Sequence, residues 1–428
     1  EVLELSNSSR ISKIIQMIDD GEENKASIQG NAEKLADKIV PASLGLSIAT
    51  LLLTRNVARA MSVLMVDFSC AIKLTTPLVI ITALHEATKN QILVKGGKYL
   101  ELLSKADTVV FDKTGTLTKA VPKISKVIAV SDKYNQDAVL RVAACLEEHF
   151  PHSVASAIVA HATEKGLVHP EKHEKVEYIV AHGIASSYEG HRAIIGSKHF
   201  IFEDEGVEFN EELFKTLTEE IGSDSAIYLA IDHELVGVIC VQDPPRDDAK
   251  ETIEKLREQG IKEVVMITGD GEEVAKNMCE KLNIDRYFAS VLPDGKSALI
   301  KALKDEGKTV LMVGDGINDA PALSMADVSM TLKSSSDIAR EVSDIAIHSE
   351  SLLQIVYARK LATALMNKIS NNYKFIVGFN SSLILLGMGG IITGNTSAWL
   401  HNFSTLGLAG FSAKSILKEK EVIENEAT

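Results

Sequence analysis

Residues 108–118 read TVVFDKTGTLT. The first four, TVVF, are β-branched or aromatic and predict a short buried strand. Asp112 follows directly, where the strand gives way to a loop of small residues. In parallel sheets the loops at the carboxyl ends of strands converge on the reactive site. A carboxylate placed there can attack a phosphoryl group and form an aspartyl-phosphate. Thr114, Gly115 and Thr116 are small enough for the backbone to approach a phosphate, and their N–H groups can cradle its oxygens. Taken alone, Asp112 could equally be a capping residue before a turn.

Neighbouring segments decide between these readings. Residues 263–267 (EVVMI) predict a second strand that ends in Thr268-Gly269-Asp270. The Thr268 hydroxyl is suited to hydrogen-bonding phosphoryl oxygens. Lys296 follows Pro293 and opens a helix over 297–304, where its charge can offset that of a phosphate. Residues 309–313 (TVLMV) predict a third strand, ending in Gly314-Asp315-Gly316-Ile317-Asn318-Asp319. Two carboxylates four apart with glycines between suit Mg²⁺, which takes hard oxygens and keeps several waters. Nucleophile, cation site, backbone donors and lysine are the parts that phosphoryl transfer requires.

Helices expected over 249–259, with Gly260 as the stop signal, and over 272–282 alternate with these strands. Such alternation defines an α/β fold with a Rossmann-like parallel sheet. Residues 126–238 interrupt it with helices near 136–147 and 154–164 and strand-like pieces at 193–195 and 226–231. They read as an α+β domain inserted into the first.

The 428 residues carry 45 basic and 59 acidic side chains, a formal charge of −14. That balance argues against a chain built to coat nucleic acid. Cys70, Cys145, Cys240 and Cys279 are far apart and form no CxxC, which excludes a disulfide scaffold and a zinc ribbon. The mean hydropathy of +0.08 is high for so charged a chain. It conceals four stretches with few or no charges: 39–53, 60–84, 375–393 and 397–413. Paired as they are, with polar turns between, they predict two α-helical transmembrane hairpins rather than buried core helices. Residues 1–30 show no signal peptide; an amphipathic helix is expected around 11–20.

DKTGTLT (112–118), TGD (268–270) and GDGIND (314–319) together resemble the signature of the P-type ATPases, cation pumps of the haloacid-dehalogenase superfamily. The resemblance runs over nearly the whole chain and points to the heavy-metal subgroup. It implies that ATP phosphorylates Asp112 and that Asp315 holds Mg²⁺ with Asp112 and the Thr114 carbonyl. Lys113, Thr114, Thr268, Gly269, Asp270, Lys296 and Asp319 would complete the catalytic set. Asp243-Pro244 resembles the family's element at the hinge back into the phosphorylation domain. Superfamily phosphatases usually carry an acid two residues after the nucleophile; Thr114 stands there instead, which favours a persistent intermediate.

The implied nucleotide site departs from the family pattern. His152 matches the histidine of a Glu-His-Pro element, but Pro151 and Ser153 replace its neighbours, and Glu148 is a candidate to compensate. Of a GxG turn only Gly183 matches, and Gly196 matches the glycine of a later Gly-Asn element. In the membrane, Ser69-Cys70-Ala71 followed by Pro77 resembles the metal-binding triplet without its first proline. Asp67 and Lys73 lie in the same expected span; charged groups there are functional candidates. Asn380 and His401 lie in the last two spans. Ser69, Cys70, Asn380 and His401 are expected to line the path of the transported ion. A mixed S/N/O donor set suits Zn²⁺, Cd²⁺, Co²⁺ or Mn²⁺ better than Cu⁺.

The resulting expectation is an actuator-exit linker (1–34), a transmembrane hairpin (35–95), a phosphorylation domain (96–125 and 239–350), a nucleotide-binding domain (126–238), a second hairpin (351–417) and a polar tail (418–428). No Thr-Gly-Glu triplet, the family's hydrolytic element, occurs. The chain is therefore expected to be the C-terminal part of a longer pump. Its expected partners are ATP, Mg²⁺, a transition-metal cation and membrane lipid, with no nucleic acid. It is expected to act as a monomer, multi-pass in the cell membrane of a bacterium. The competing expectations are a membrane-tethered phosphatase and a degenerate regulatory pump homologue.

Overall fold

A computed structural model describes residues 27–417 apart from 149–152, 168–176, 180–182, 209, 223, 316–318, 334 and 336. The expected helix at 11–20 and the tail at 418–428 lie outside the described residues. The chain divides into two compact units. One comprises Glu1–Val109, Glu254–Glu263 and Ser297–Thr428; the other comprises Val110–Ile253 and Val264–Lys296.

In the first unit, strands Val310–Gly314, Val328–Thr331 and Ile345–Ile347 pair in parallel, with Leu311 opposite Val328 and Met330 opposite Ile345. Ile92–Val94 closes the far edge, antiparallel to Ile345–Ile347. These strands are wholly buried from Val310 to Gly314, which is why their sequences are continuous apolar runs rather than alternating ones.

Among the described residues, the same unit holds five long or apolar helices. Ser27–Thr54 contains Pro41, and Phe68–Lys89 contains Pro77. Leu353–Met388 and Gly394–Ser412 form the later pair. Between the first two lies the short helix Val57–Leu64. Val63, Phe68, Ile72, Ile376 and Leu383 make the core of this bundle. Its outer surface is apolar: Leu53 is 83% exposed, Ile391 73% and Trp399 65%. Water would not tolerate so many bare apolar side chains on one bundle, whereas lipid would.

Two sequence expectations change here. The span expected over 60–84 is not one helix. It breaks at Met65–Asp67, and Asp67 caps the helix that follows by accepting from the N–H groups of Ser69 (2.8 Å) and Cys70 (3.2 Å). An aspartate with extended backbone at that position satisfies orphan donors of the first turn. By length and apolarity, one stretch among the described residues, Val57–Lys89, suffices to cross a bilayer, and a shorter apolar one runs over Val40–Thr54. The last two helices are diluted by polar residues such as Asn371, Asn372, Asn380 and Asn402.

In the second unit, Glu263–Ile267 pairs in parallel with Arg286–Phe288, and the helix Glu272–Leu282 connects them. The helix opening near Lys296 starts earlier than expected, at Pro293, whose fixed φ suits a first helical turn. The inserted region is a six-stranded sheet in which every neighbour is antiparallel. Helices Gln136–Glu147 and Ser153–Glu164 cover one face, through Leu140, Ala143, Ile158, Ile195 and Leu229. Phe200, Ile201 and Leu217 cover the other against Ile194 and Tyr228. Ile194 and Ile195 therefore face opposite ways, as do Tyr228 and Leu229, the period of two expected of a strand covered on both sides.

Candidate phosphoryl-transfer site

Asp112 ends the strand Thr108–Asp112, in which every residue is buried. Its own exposure is 5%, and the Lys296 ammonium lies 2.5 Å from its Oδ1. Lys296 is also buried, and the two charges compensate one another. Past Asp112 the backbone turns sharply. Gly115 takes φ +78°, a left-handed conformation that a side chain resists. The Gly115 N–H donates to Thr118 Oγ1 (3.1 Å), and the Thr118 N–H to the Lys113 carbonyl (3.1 Å).

Lys113 is buried and forms an ion pair with Asp270. Thr268 is buried at the end of the strand Glu263–Ile267, and its Oγ1 accepts from the Asp270 N–H at 3.1 Å. The loop 268–270 thus presents a hydroxyl and a carboxylate from one tight turn, with exposed Gly269 between them. Thr118 Oγ1 donates to Asp243 Oδ2 at 2.6 Å, and Thr118 bridges Pro245 through the backbone. Burial pushes the Asp243 carboxyl above its ordinary range, an effect that the Thr118 hydrogen bond and the Lys113 ammonium oppose.

In the first unit, Asp315 follows the strand Val310–Gly314, and its N–H donates to Asp319 Oδ2 at 3.3 Å. Asp319 is 2% exposed. A Cβ on Gly314 would lie 3.0 Å from Asp319 Oδ2, so glycine there makes room for the carboxylate. Gly316, Ile317 and Asn318 lie outside the described residues. The donors expected for Mg²⁺ are carboxylate and carbonyl oxygens, and Asp319 is buried where an anion calls for a cation close by. These residues fit a small hard divalent ion.

His152 also lies outside the described residues. Gly183 and Gly196, at the open end of one hairpin, are cross-strand partners. At Gly183 a Cβ would come within 2.4 Å of the Phe200 ring and 2.5 Å of the Ile195 carbonyl, so packing alone demands glycine there. Glu148, the candidate acidic neighbour of His152, is exposed, and Glu147 beside it is buried. Burial pushes the Glu147 carboxyl up to about 7. Its helical position on the apolar face of Gln136–Glu147 was the available signal, since Val139, Leu140 and Ala143 share that face.

Among the membrane candidates, His401 Nδ1 lies 3.3 Å from Asn380 Oδ1, and both are buried. Ser69 and Cys70 sit together on the first turn after Asp67, with Cys70 exposed. Among the described residues, no group of three close-set His, Cys, Asp or Glu ligands includes Cys70 or His401. Asn380 Nδ2 and Thr405 Oγ1 are buried without a hydrogen-bond partner and line one narrow cleft with Ala71 and Ser404.

The haloacid dehalogenase-like hydrolase pattern matches residues 106–327, about half of the chain, and the chain belongs to that family. The curated relatives it resembles are named as metal-exporting P-type ATPases. It is 35% identical over 418 residues to a zinc-exporting P-type ATPase of Mycobacterium marinum, covering 96% of this chain and 56% of that protein. It is 33% identical over 414 residues to a manganese-exporting P-type ATPase of Mycobacterium tuberculosis, covering 96% and 57%. The chain thus spans a little over half the length of these relatives. Among solved structures, a zinc-transporting PIB-type ATPase in the E2.Pi state aligns with TM-score 0.74 and 26% identity, over 97% of this chain and 69% of that one. The catalytic domain of a CPx-ATPase, CopB-B, aligns with TM-score 0.52 and 27% identity, over 65% and 98%.

Proposed function

We propose that this chain carries the phosphorylation site and part of the ion path of an ATP-driven transition-metal pump, multi-pass in the cell membrane, that exports a divalent ion. The observation that carries the reading is the buried Asp112–Lys296 pair at a strand end, inside the DKTGTLT motif. Relatives named as zinc and manganese exporters support the class of cargo.

Asp112 is the nucleophile. One of its carboxylate oxygens bonds to the γ-phosphorus of ATP as the bond from that phosphorus to the β–γ bridging oxygen breaks. ADP leaves with the electron pair, and an aspartyl-phosphate remains. Lys296 hands its charge from the carboxylate to the transferring oxygens, an electrostatic role that needs no reorganisation. The Thr268 hydroxyl donates to a phosphoryl oxygen. Lys113, held by Asp270, keeps that loop beside the nucleophile. Asp112, Asp315 and the Thr114 carbonyl would hold Mg²⁺, which would neutralise phosphate charge; Asp319 accepts the Asp315 N–H and so fixes the backbone that carries Asp315. Residues 126–238 bind the nucleotide, through His152, Gly183 and Gly196. Ser69, Cys70, Asn380 and His401 serve the ion, joined by Asp67 at the helix break.

The competing reading, a tethered phosphatase, lacks an acid at position 114 to activate water. Incubating the full-length protein with γ-labelled ATP and single metals separates them. Label on Asp112 that depends on one divalent metal supports the pump. Rapid release of phosphate without metal dependence supports the phosphatase.

A further inference from the structure

Arg246 is 6% exposed and stands three residues after Asp243. Its side chain donates inward: Nε to the carbonyls of Thr116 (2.9 Å) and Thr118 (3.2 Å), and Nη2 to that of Gly115 (3.1 Å). Its backbone N–H donates to the Leu117 carbonyl at 2.8 Å. One residue therefore holds four consecutive carbonyls, 115 to 118, of the loop that follows the nucleophile.

In a trans peptide the C=O and the following N–H point in opposite directions. Carbonyls of Gly115 and Thr116 turned onto the guanidinium thus turn the N–H groups of Thr116 and Leu117 away from it. The planar, five-donor guanidinium can satisfy several carbonyls in fixed relative orientation, which an ammonium cannot. We propose that Arg246 is a positioning residue for phosphoryl transfer: it presets the orientation of the amides that cradle the phosphoryl group, without binding the nucleotide itself. This rests on the phosphorylation of Asp112 proposed above.

The test uses the full chain with Arg246→Gln and Arg246→Lys, and two phosphoryl donors, ATP and acetyl phosphate. Acetyl phosphate has no adenine, so its reaction reports on the loop alone. For Arg246→Gln we expect labelling of Asp112 to slow by about tenfold or more from both donors, with ATP affinity held within about twofold. Arg246→Lys keeps the charge but not the fork, and is expected to slow both donors by several-fold with its melting temperature near wild type. That variant keeps the test decisive if Arg246→Gln fails to fold. Weaker ATP binding with unchanged labelling from acetyl phosphate would overturn the proposal, as would wild-type rates in Arg246→Lys. Absence of label from either donor in the wild-type chain is a different result, and counts against Asp112 as the acceptor.

Discussion

The Lys296 ammonium lies 2.5 Å from Asp112 Oδ1, and the two side chains are 10% and 8% exposed. A pair this buried is poor evidence for stability, because desolvation offsets most of the attraction. Its value lies in presetting a charge where phosphate oxygens arrive. Replacing Lys296 by Met should therefore slow phosphorylation of Asp112 by about 10²–10³-fold, the range for one lost electrostatic donor. Labelling kinetics at saturating ATP measure this. An effect confined to ATP affinity contradicts it.

Ala120 has φ +50°, a left-handed conformation for a residue with a Cβ. That strain amounts to about 1–2 kcal/mol, of which the entropy of glycine in the unfolded chain takes back about half. Ala120→Gly should stabilise the protein by roughly 0.5–1 kcal/mol, seen as a higher melting temperature with labelling unchanged.

Glu147 gives a pH dependence whose sign is definite. Its carboxyl is pushed up to about 7 in the folded chain from an ordinary value of 4.5. Between these two values the folded state holds a proton that the unfolded state has lost. Stability therefore falls as pH rises from about 4.5 to 7, by up to roughly 3 kcal/mol from this group. Glu147→Gln should remove that slope and raise stability at pH 8. Denaturant titrations of both proteins across that window decide it; parallel curves would show that Glu147 ionises freely.

Glu86 accepts from Ser415 Oγ (2.9 Å) and from the N–H groups of Ile416 (2.7 Å) and Leu417 (3.0 Å). The carboxylate thus fastens the segment after the last helix onto Phe68–Lys89. Hydrogen bonds to a charged group contribute about 1.5–3 kcal/mol each. Glu86→Ala should speed exchange of the Ile416 and Leu417 amides by at least about tenfold. Unchanged exchange would mean that the segment is held by packing alone.

Much of this was legible in the sequence, for identifiable reasons. EVVMI is a strand from Glu263 to Ile267 because a strand buried on both faces must be apolar throughout. The helix Glu272–Leu282 keeps its boundaries because acidic residues open it and Asn283 closes it in a left-handed turn. Asp67 misled: inside an apolar stretch it reads as a charge in a span, whereas its backbone is extended and its side chain caps a new helix. The signal for a break was an Asp three residues before Cys70, since such a spacing suits an N-cap, but the uninterrupted apolar run around it hid the signal. Gly183 has a packing reason that no local pattern shows, since a Cβ there would meet the Phe200 ring. Arg246 went unread because no local pattern shows that a side chain will turn back onto a loop 130 residues earlier.

The account stands on Asp112 as phosphoryl acceptor. The most direct measurement is covalent labelling of the full-length protein by γ-labelled ATP, beside the Asp112→Asn variant. We predict an acid-stable, hydroxylamine-labile label in the wild type, mapped to the peptide containing Asp112 and lost in the variant. Label that persists in Asp112→Asn, or its absence from folded, ATP-binding wild type, would contradict the central claim.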